Sequence, residues 1–234
     1  MNEPAPPPAH PAPSLTHIRG LYLISGVCGL VDAACFLSLG EVFAEMMTGN
    51  LLLIMFYLGT GHPFSAYAAN AMAVAAFLLG AIFAGRIVRG PHGHTRFGFT
   101  IEWVFLALAV GFSLTLPLGT SPEARFVLIC TLAFAMGMQN ALIRRHGVPD
   151  LATNVMTLTL TALVADSTLA GGENTRWRRR FASIAVFAAG ALLGALLTTR
   201  VGPWAPLLAA LLLFSVALPG LTRPAKGQSV NAVN

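Results

Sequence analysis

Ser25-Gly-Val-Cys-Gly-Leu-Val-Asp32-Ala-Ala-Cys-Phe-Leu-Ser-Leu-Gly-Glu-Val-Phe-Ala-Glu-Met-Met-Thr-Gly-Asn50 joins an apolar run to a short polar turn, and the chain repeats its pattern later. Ser25, Gly29, Asp32 and Ala33 reappear as Ala133, Gly137, Asn140 and Ala141, a constant shift of 108. Met47-Thr48 returns as Met156-Thr157, a shift of 109. Phe77, Gly80 and Ala81 return as Phe187, Gly190 and Ala191, a shift of 110, and Phe112-Ser113 with Pro117 as Phe214-Ser215 with Pro219, a shift of 102. Residues 21–222 thus read as two similar halves. An apolar chain of this kind is the pattern of membrane carriers and channels built about a pseudo-two-fold axis.

Composition agrees. Hydrophobic residues make up 56% of the 234 and charged ones only 10%, and the mean hydropathy is +0.72. Soluble domains carry about 25% charged residues, so most of this surface is expected in lipid. The reading is an all-α polytopic membrane protein. Residues 1–18 form a Pro-rich tail, 19–222 one transmembrane domain with repeats at about 19–119 and 124–222, and 223–234 a C-terminal tail. The N-terminus lacks the basic start and apolar core of a signal peptide.

The net charge of +5 comes from arginines at the ends of apolar runs, a membrane pattern rather than a nucleic-acid one. Cys28 and Cys35 lie seven residues apart on one predicted helix. That is about 10.5 Å, too far for a disulfide. No metal-ligand cluster, cofactor motif or catalytic set is visible, and the chain is read as neither an enzyme nor a cofactor protein.

Full-length apolar segments fall at 21–39, 66–87, 99–118, 126–143, 181–199 and 204–218, and shorter ones at 46–58 and 155–164. If all eight cross with the N-terminus inside, eight basic residues face the cytoplasm and six face out. If the two short segments are re-entrant, 12 face the cytoplasm and only Arg125 and Arg200 face out. The bias of Lys and Arg toward the inside therefore favours six spans plus two short re-entrant helices, with both termini cytoplasmic. The alternative is eight spans in two parallel four-helix repeats. Three crossings per half make the second half an inverted copy, and four make it a parallel one.

Asp32 sits in the middle of an apolar span, where an ionised carboxylate costs at least about 2.5–3.5 kcal/mol. It is therefore expected to face a cavity, a partner or the bundle interior, and to be able to carry a proton. The plainer reading is a buried acid bonded to a neighbouring helix. Ser25, Gly29 and Asp32 share one helical face. The simplest geometry sets it against the face of Ala133, Gly137 and Asn140, with Asp32 near Asn140 and Gln139 alongside. Thr48, Gly49 and Asn50 open the first short segment, and Thr153, Asn154 and Thr157 the second. In re-entrant helices these starts would line a pathway with their positive dipole ends; otherwise they are ordinary caps. Gly80-x-x-x-Ala84 and Gly190-x-x-x-Gly194 read as packing seams, which fit a homo-oligomer as well as a single chain. Glu41, Glu45 and His62 read as solvated ends, and Arg144-Arg145 with Arg176 to Arg180 as anchors to anionic headgroups.

The stretch from Gly29 to Asn50 resembles the hallmark of the YoaK-like family, bacterial integral membrane proteins with a domain of unknown function (DUF1275). Ala135-Met-Gly-Met-Gln-Asn-Ala141, followed by Arg144-Arg145, is similar to its second signature. The second half departs from the family pattern in carrying Thr157-Leu158 rather than Thr-Gly. The resemblance implies a bacterial inner-membrane location and no established substrate. The expectation is a carrier or channel for a small polar solute, with Asp32 as the candidate proton-coupling group. The competing class is a non-transporting scaffold or sensor subunit.

Overall fold

The computed structural model describes residues 15–89, 95–146 and 156–222. Among the described residues every regular element is helical: α1 (Leu15–Ser38), α2 (Met47–Gly59), α3 (Ala68–Arg89), α4 (Thr95–Thr115), α5 (Pro122–His146), α6 (Met156–Ala165), α7 (Trp177–Arg200) and α8 (Trp204–Thr222). Six have apolar spans of 18 to 24 residues. At 1.5 Å per residue these are about 27–36 Å long, enough to cross a hydrocarbon core of about 30 Å. α2 has 13 residues and α6 has 10, about 20 Å and 15 Å. The chain is a multi-pass helical membrane protein.

Contacts between named residues fix the direction of each helix. α1 and α7 run in the same sense, because Gly26 lies against Val186 and Gly190 while Leu30 and Ala33 lie against Gly194. α3 and α5 also run together. Met72 and Ala75 share a groove with Cys130 and Thr131, and further along Phe77 meets Gly137. α1 and α8 are antiparallel, with Gly20 on Leu221 and Gly26 on Leu213. So are α4 and α5, with Gly98 on Leu142 and the Phe105 and Phe134 rings 4.7 Å apart. Finally, Asn70 Nδ2 at the start of α3 donates to the Glu41 carbonyl just past the end of α1, at 3.2 Å. The end of α1 and the start of α3 therefore share one side of the bundle.

It follows that α1, α4 and α7 point one way and α3, α5 and α8 the other. Segment 39–67 leaves and returns at one end, and α5 ends where α7 begins, at the opposite end. Neither α2 nor α6 adds a crossing, as the arginine count predicted. Arginines with described side chains divide accordingly: Arg19, Arg86, Arg89, Arg96, Arg144, Arg176, Arg178, Arg179 and Arg180 lie at one end, and Arg125 and Arg200 at the other.

α1 and α5 are the most enclosed helices, with 72% and 67% of their apolar windows buried against 17% for α7. Leu78, Leu79 and Ile82 on α3 and Leu192, Leu193 and Leu196 on α7 are exposed and form part of the lipid-facing surface. With lipid outside, apolar burial does little to hold such helices together, and close packing of small residues takes over. A Cβ at Gly29 would strike the Phe187 carbonyl, and one at Gly190 would strike the Gly26 carbonyl. The same pair of contacts recurs between α3 and α5, where Gly137 meets the Phe77 carbonyl and Gly80 the Phe134 carbonyl. The glycine faces of α1 and α5 thus do not meet each other as the simplest geometry suggested. Each is taken up by the small-residue seam of the other half's third helix, which permits the closer backbone approach. Gly80 and Gly190 are therefore used within the chain.

Candidate functional site

Asp32 lies six residues before the end of α1 and is 5% exposed. Its Oδ1 accepts the backbone N–H groups of Ala44 and Glu45, both at 2.8 Å, and its Oδ2 accepts that of Met46 at 3.2 Å. Six residues of helix are about 9 Å of axial rise, so residues 44–46 have folded back beside α1 to that depth. The carboxylate satisfies three consecutive N–H groups that lead into α2, a helix start whose own cap residue, Met46, makes no side-chain cap bond. Charge-assisted bonds of this kind are about twice as strong as neutral ones.

Asn50 completes the turn. It is fully buried, accepts the Phe43 N–H at 2.9 Å and returns its amide N–H to the Phe43 carbonyl at 2.7 Å. Asn70 Nδ2 reaches Asn50 Oδ1 at 3.3 Å, tying the start of α3 to the same knot. Gly49 has a packing role: a Cβ there would press on the Phe43 ring, which stacks on Phe36 at 4.9 Å. Thr48 is exposed. The expected N-capping by Thr48 and Asn50 is thus replaced. Both lie inside the first turn of α2, and Asp32 and Asn50 hold the lead-in from either side.

The remaining expected residues lie apart from this turn. Gln139 is fully buried and donates to Cys28 Sγ at 3.0 Å, bridging α5 and α1. Asn140 donates to the Met136 carbonyl of its own helix at 3.0 Å. Thr157, in the first turn of α6, is exposed. Asn154 and Thr153 lie outside the described residues. Glu41 and His62 are exposed, as expected of solvated ends, whereas Glu45 is buried within the turn.

Two side chains depart from the sequence reading: Arg180, expected among the headgroup anchors, is buried, and Glu102 was not singled out. Arg180 is 7% exposed, and its Nη1 donates to the Ala162 carbonyl and to Asp166 Oδ2, both at 2.7 Å. It ties the start of α7 to the end of α6, where a cation suits the helix dipole. Its place in the arginine run Arg178-Arg179-Arg180 masked this, although the shift of 110 sets it opposite Asn70, which has the matching role. The second is Glu102, fully buried on the inner face of α4.

The family model for DUF1275, proteins of unknown function, matches residues 20–218. The chain belongs to this family. A relative, the UPF0700 transmembrane protein YoaK of Bacillus subtilis, is 30% identical over 152 residues, covering 62% of this chain and 65% of that protein. The match thus spans a little under two thirds of the relative. No solved structure matches the chain. Asp32 and Asn50, which build the turn, and Gln139 all fall within the family match.

Proposed function

We propose that this DUF1275 protein is a carrier or channel for a small polar solute in the bacterial inner membrane, built from two inverted copies of one unit. The observation that carries this reading is the capped turn: a helix start folded back about 9 Å beside α1 and held by an intramembrane carboxylate. Backbone that departs from helix at such depth is found where it is buried in protein or lines a pathway. Matched glycine contacts between the halves, together with the opposite helix senses, support inverted copies. The gathering of arginines at one end, against Arg125 and Arg200 at the other, supports cytoplasmic termini.

Every acceptor on Asp32 that the turn uses is occupied by backbone, so passage requires the turn to open. A proton on Asp32 would weaken the bonds to residues 44–46 and loosen the start of α2. Proton binding would thereby couple to the position of the re-entrant segment.

The test is purified protein in liposomes, assayed by osmotic swelling with urea, glycerol and formate and by proton uptake. Solute entry faster than in protein-free liposomes, and changed by Asp32→Asn, supports the carrier. A second reading, a non-transporting scaffold, is favoured by the fact that Asp32 and Asn50 both bond to backbone. It expects no flux with any solute, and loss of folding or of a co-purifying partner in Asp32→Asn.

A further inference from the structure

Glu102 sits eight residues into α4, on the buried face formed by Gly98, Phe99, Glu102, Leu106 and Ala109. It is fully buried, and neither carboxyl oxygen has a hydrogen-bond partner among the described residues. Gln139 on α5 is also fully buried, and its Oε1 has no partner either. The two residues belong to one level of the bundle. α4 and α5 are antiparallel, with Gly98 on Leu142 and Phe105 on Phe134, so position 102 comes level with Met138 and Gln139. Gly98 and Phe105 of α4 face α5, while Phe99 and Trp103 face α8, through Phe214 and Ser215. Glu102 projects between these two stripes, into the seam that α4 forms with α5 and α8.

Three buried oxygens of this kind pose an accounting problem. Buried acceptors are almost always paired, because leaving one unpaired forfeits its hydration. Gln139 already spends an N–H on Cys28 Sγ. Among the described side chains no cation is at hand to pair with the carboxylate. α8 carries no ionisable side chain from Trp204 to Thr222, and Arg86 and Arg89 of α3 are exposed. On α5, Arg144 is exposed and six positions from Met138, Cys130 is eight away on the α3 side, and Glu123 and Arg125 lie at the far end. A protonated carboxyl supplies the donor that Gln139 Oε1 lacks, since it carries one O–H and keeps an acceptor.

We propose that Glu102 holds a proton and shares it with Gln139 Oε1, so that the two side chains form a proton-binding site in the middle of the bundle, separate from the Asp32 turn. Binding is the plain step of carboxylate plus proton giving the acid, whose O–H donates to the amide oxygen. Only a part for this proton in solute coupling rests on the carrier reading; the site itself stands without it.

Infrared spectroscopy of the full chain in liposomes at neutral pH tests the site, whether or not any solute moves. The carbonyl stretch of an un-ionised glutamic acid is expected. Incorporating glutamate labelled with carbon-13 at the side-chain carboxyl should shift it, assigning it to Glu rather than Asp32 without any mutation. Glu102→Gln should abolish it, Glu45→Gln should leave it in place, and Gln139→Leu should move it by removing the acceptor. The proposal is overturned if no un-ionised glutamate band is present, if the band survives Glu102→Gln, or if Gln139→Leu does not move it. A carboxylate band that responds to exchanging sodium for potassium would equally overturn it, in favour of a bound cation. Should Glu102→Gln fail to fold, the labelled wild type and Gln139→Leu still decide.

Discussion

Replacing Asp32 by alanine removes the acceptor of three backbone N–H groups at once. Ala44 and Glu45 are buried, so their N–H groups cannot turn to water without displacing the segment. A buried donor left without an acceptor costs about 1–3 kcal/mol. Three sum to about 3–9 kcal/mol, and movement of Met46 toward the surface brings the total to the lower part of that range. Asp32→Asn is milder. An amide oxygen at the Oδ1 position still accepts Ala44 and Glu45, and only the 3.2 Å bond from Met46 is replaced by two donors facing each other. Its cost is about 1–3 kcal/mol. Thermal unfolding in detergent should rank wild type above Asp32→Asn and Asp32→Ala last. Amide hydrogen exchange should localise the effect: residues 44–46 are protected in the wild type and exchange freely in Asp32→Ala, while the centre of α5 is unchanged. An Asp32→Ala variant with wild-type melting and wild-type protection at 44–46 would refute the capping argument.

The glycine seams predict opposite signs for one chemical change. Gly137→Ala forces a Cβ onto the Phe77 carbonyl and should destabilise by about 1–3 kcal/mol, whereas Gly111→Ala meets open space and should stabilise by up to about 1 kcal/mol, read by the same melting assay. Asn50→Leu abolishes both bonds to Phe43 and should cost about 2–4 kcal/mol by thermal unfolding, with faster exchange at residue 43. Asp166→Asn should cost less than about 1 kcal/mol, because the Asp166 side chain is 48% exposed and Arg180 retains the Ala162 carbonyl; detergent unfolding at low and high salt would show it.

Much of this architecture was legible in the residues. The two short segments stood out because 46–58 and 155–164 are too short for an easy span, and the arginines then decided the count. Asp32 was legible as an oddity because a carboxylate in an apolar run must be accounted for. Its partner was not, because the N–H groups it accepts belong to the backbone of 44–46, and backbone donors leave no mark on side-chain identity. The pairing of α1 with α7 was equally hidden. The glycines of Gly29 and Gly190 announce close packing without saying which helix approaches, and the face carrying Gly137 looked just as suitable. Glu102 escaped notice beside Trp103, where the pair reads as an interfacial boundary. The signal was the spacing of Gly98, Phe99, Glu102, Leu106 and Ala109, which sets the acid on the inward face.

The central claim is that α2 returns to the side from which it came. Single cysteines at Glu41→Cys, His62→Cys and Glu173→Cys, in a chain with Cys28, Cys35 and Cys130 replaced by alanine, test it with a membrane-impermeant thiol reagent on intact and opened cells. All three positions are exposed. Glu41→Cys and His62→Cys should label from the same side and Glu173→Cys from the other. Labelling of Glu41→Cys and His62→Cys from opposite sides would mean that α2 crosses, and the six-span inverted account would fail.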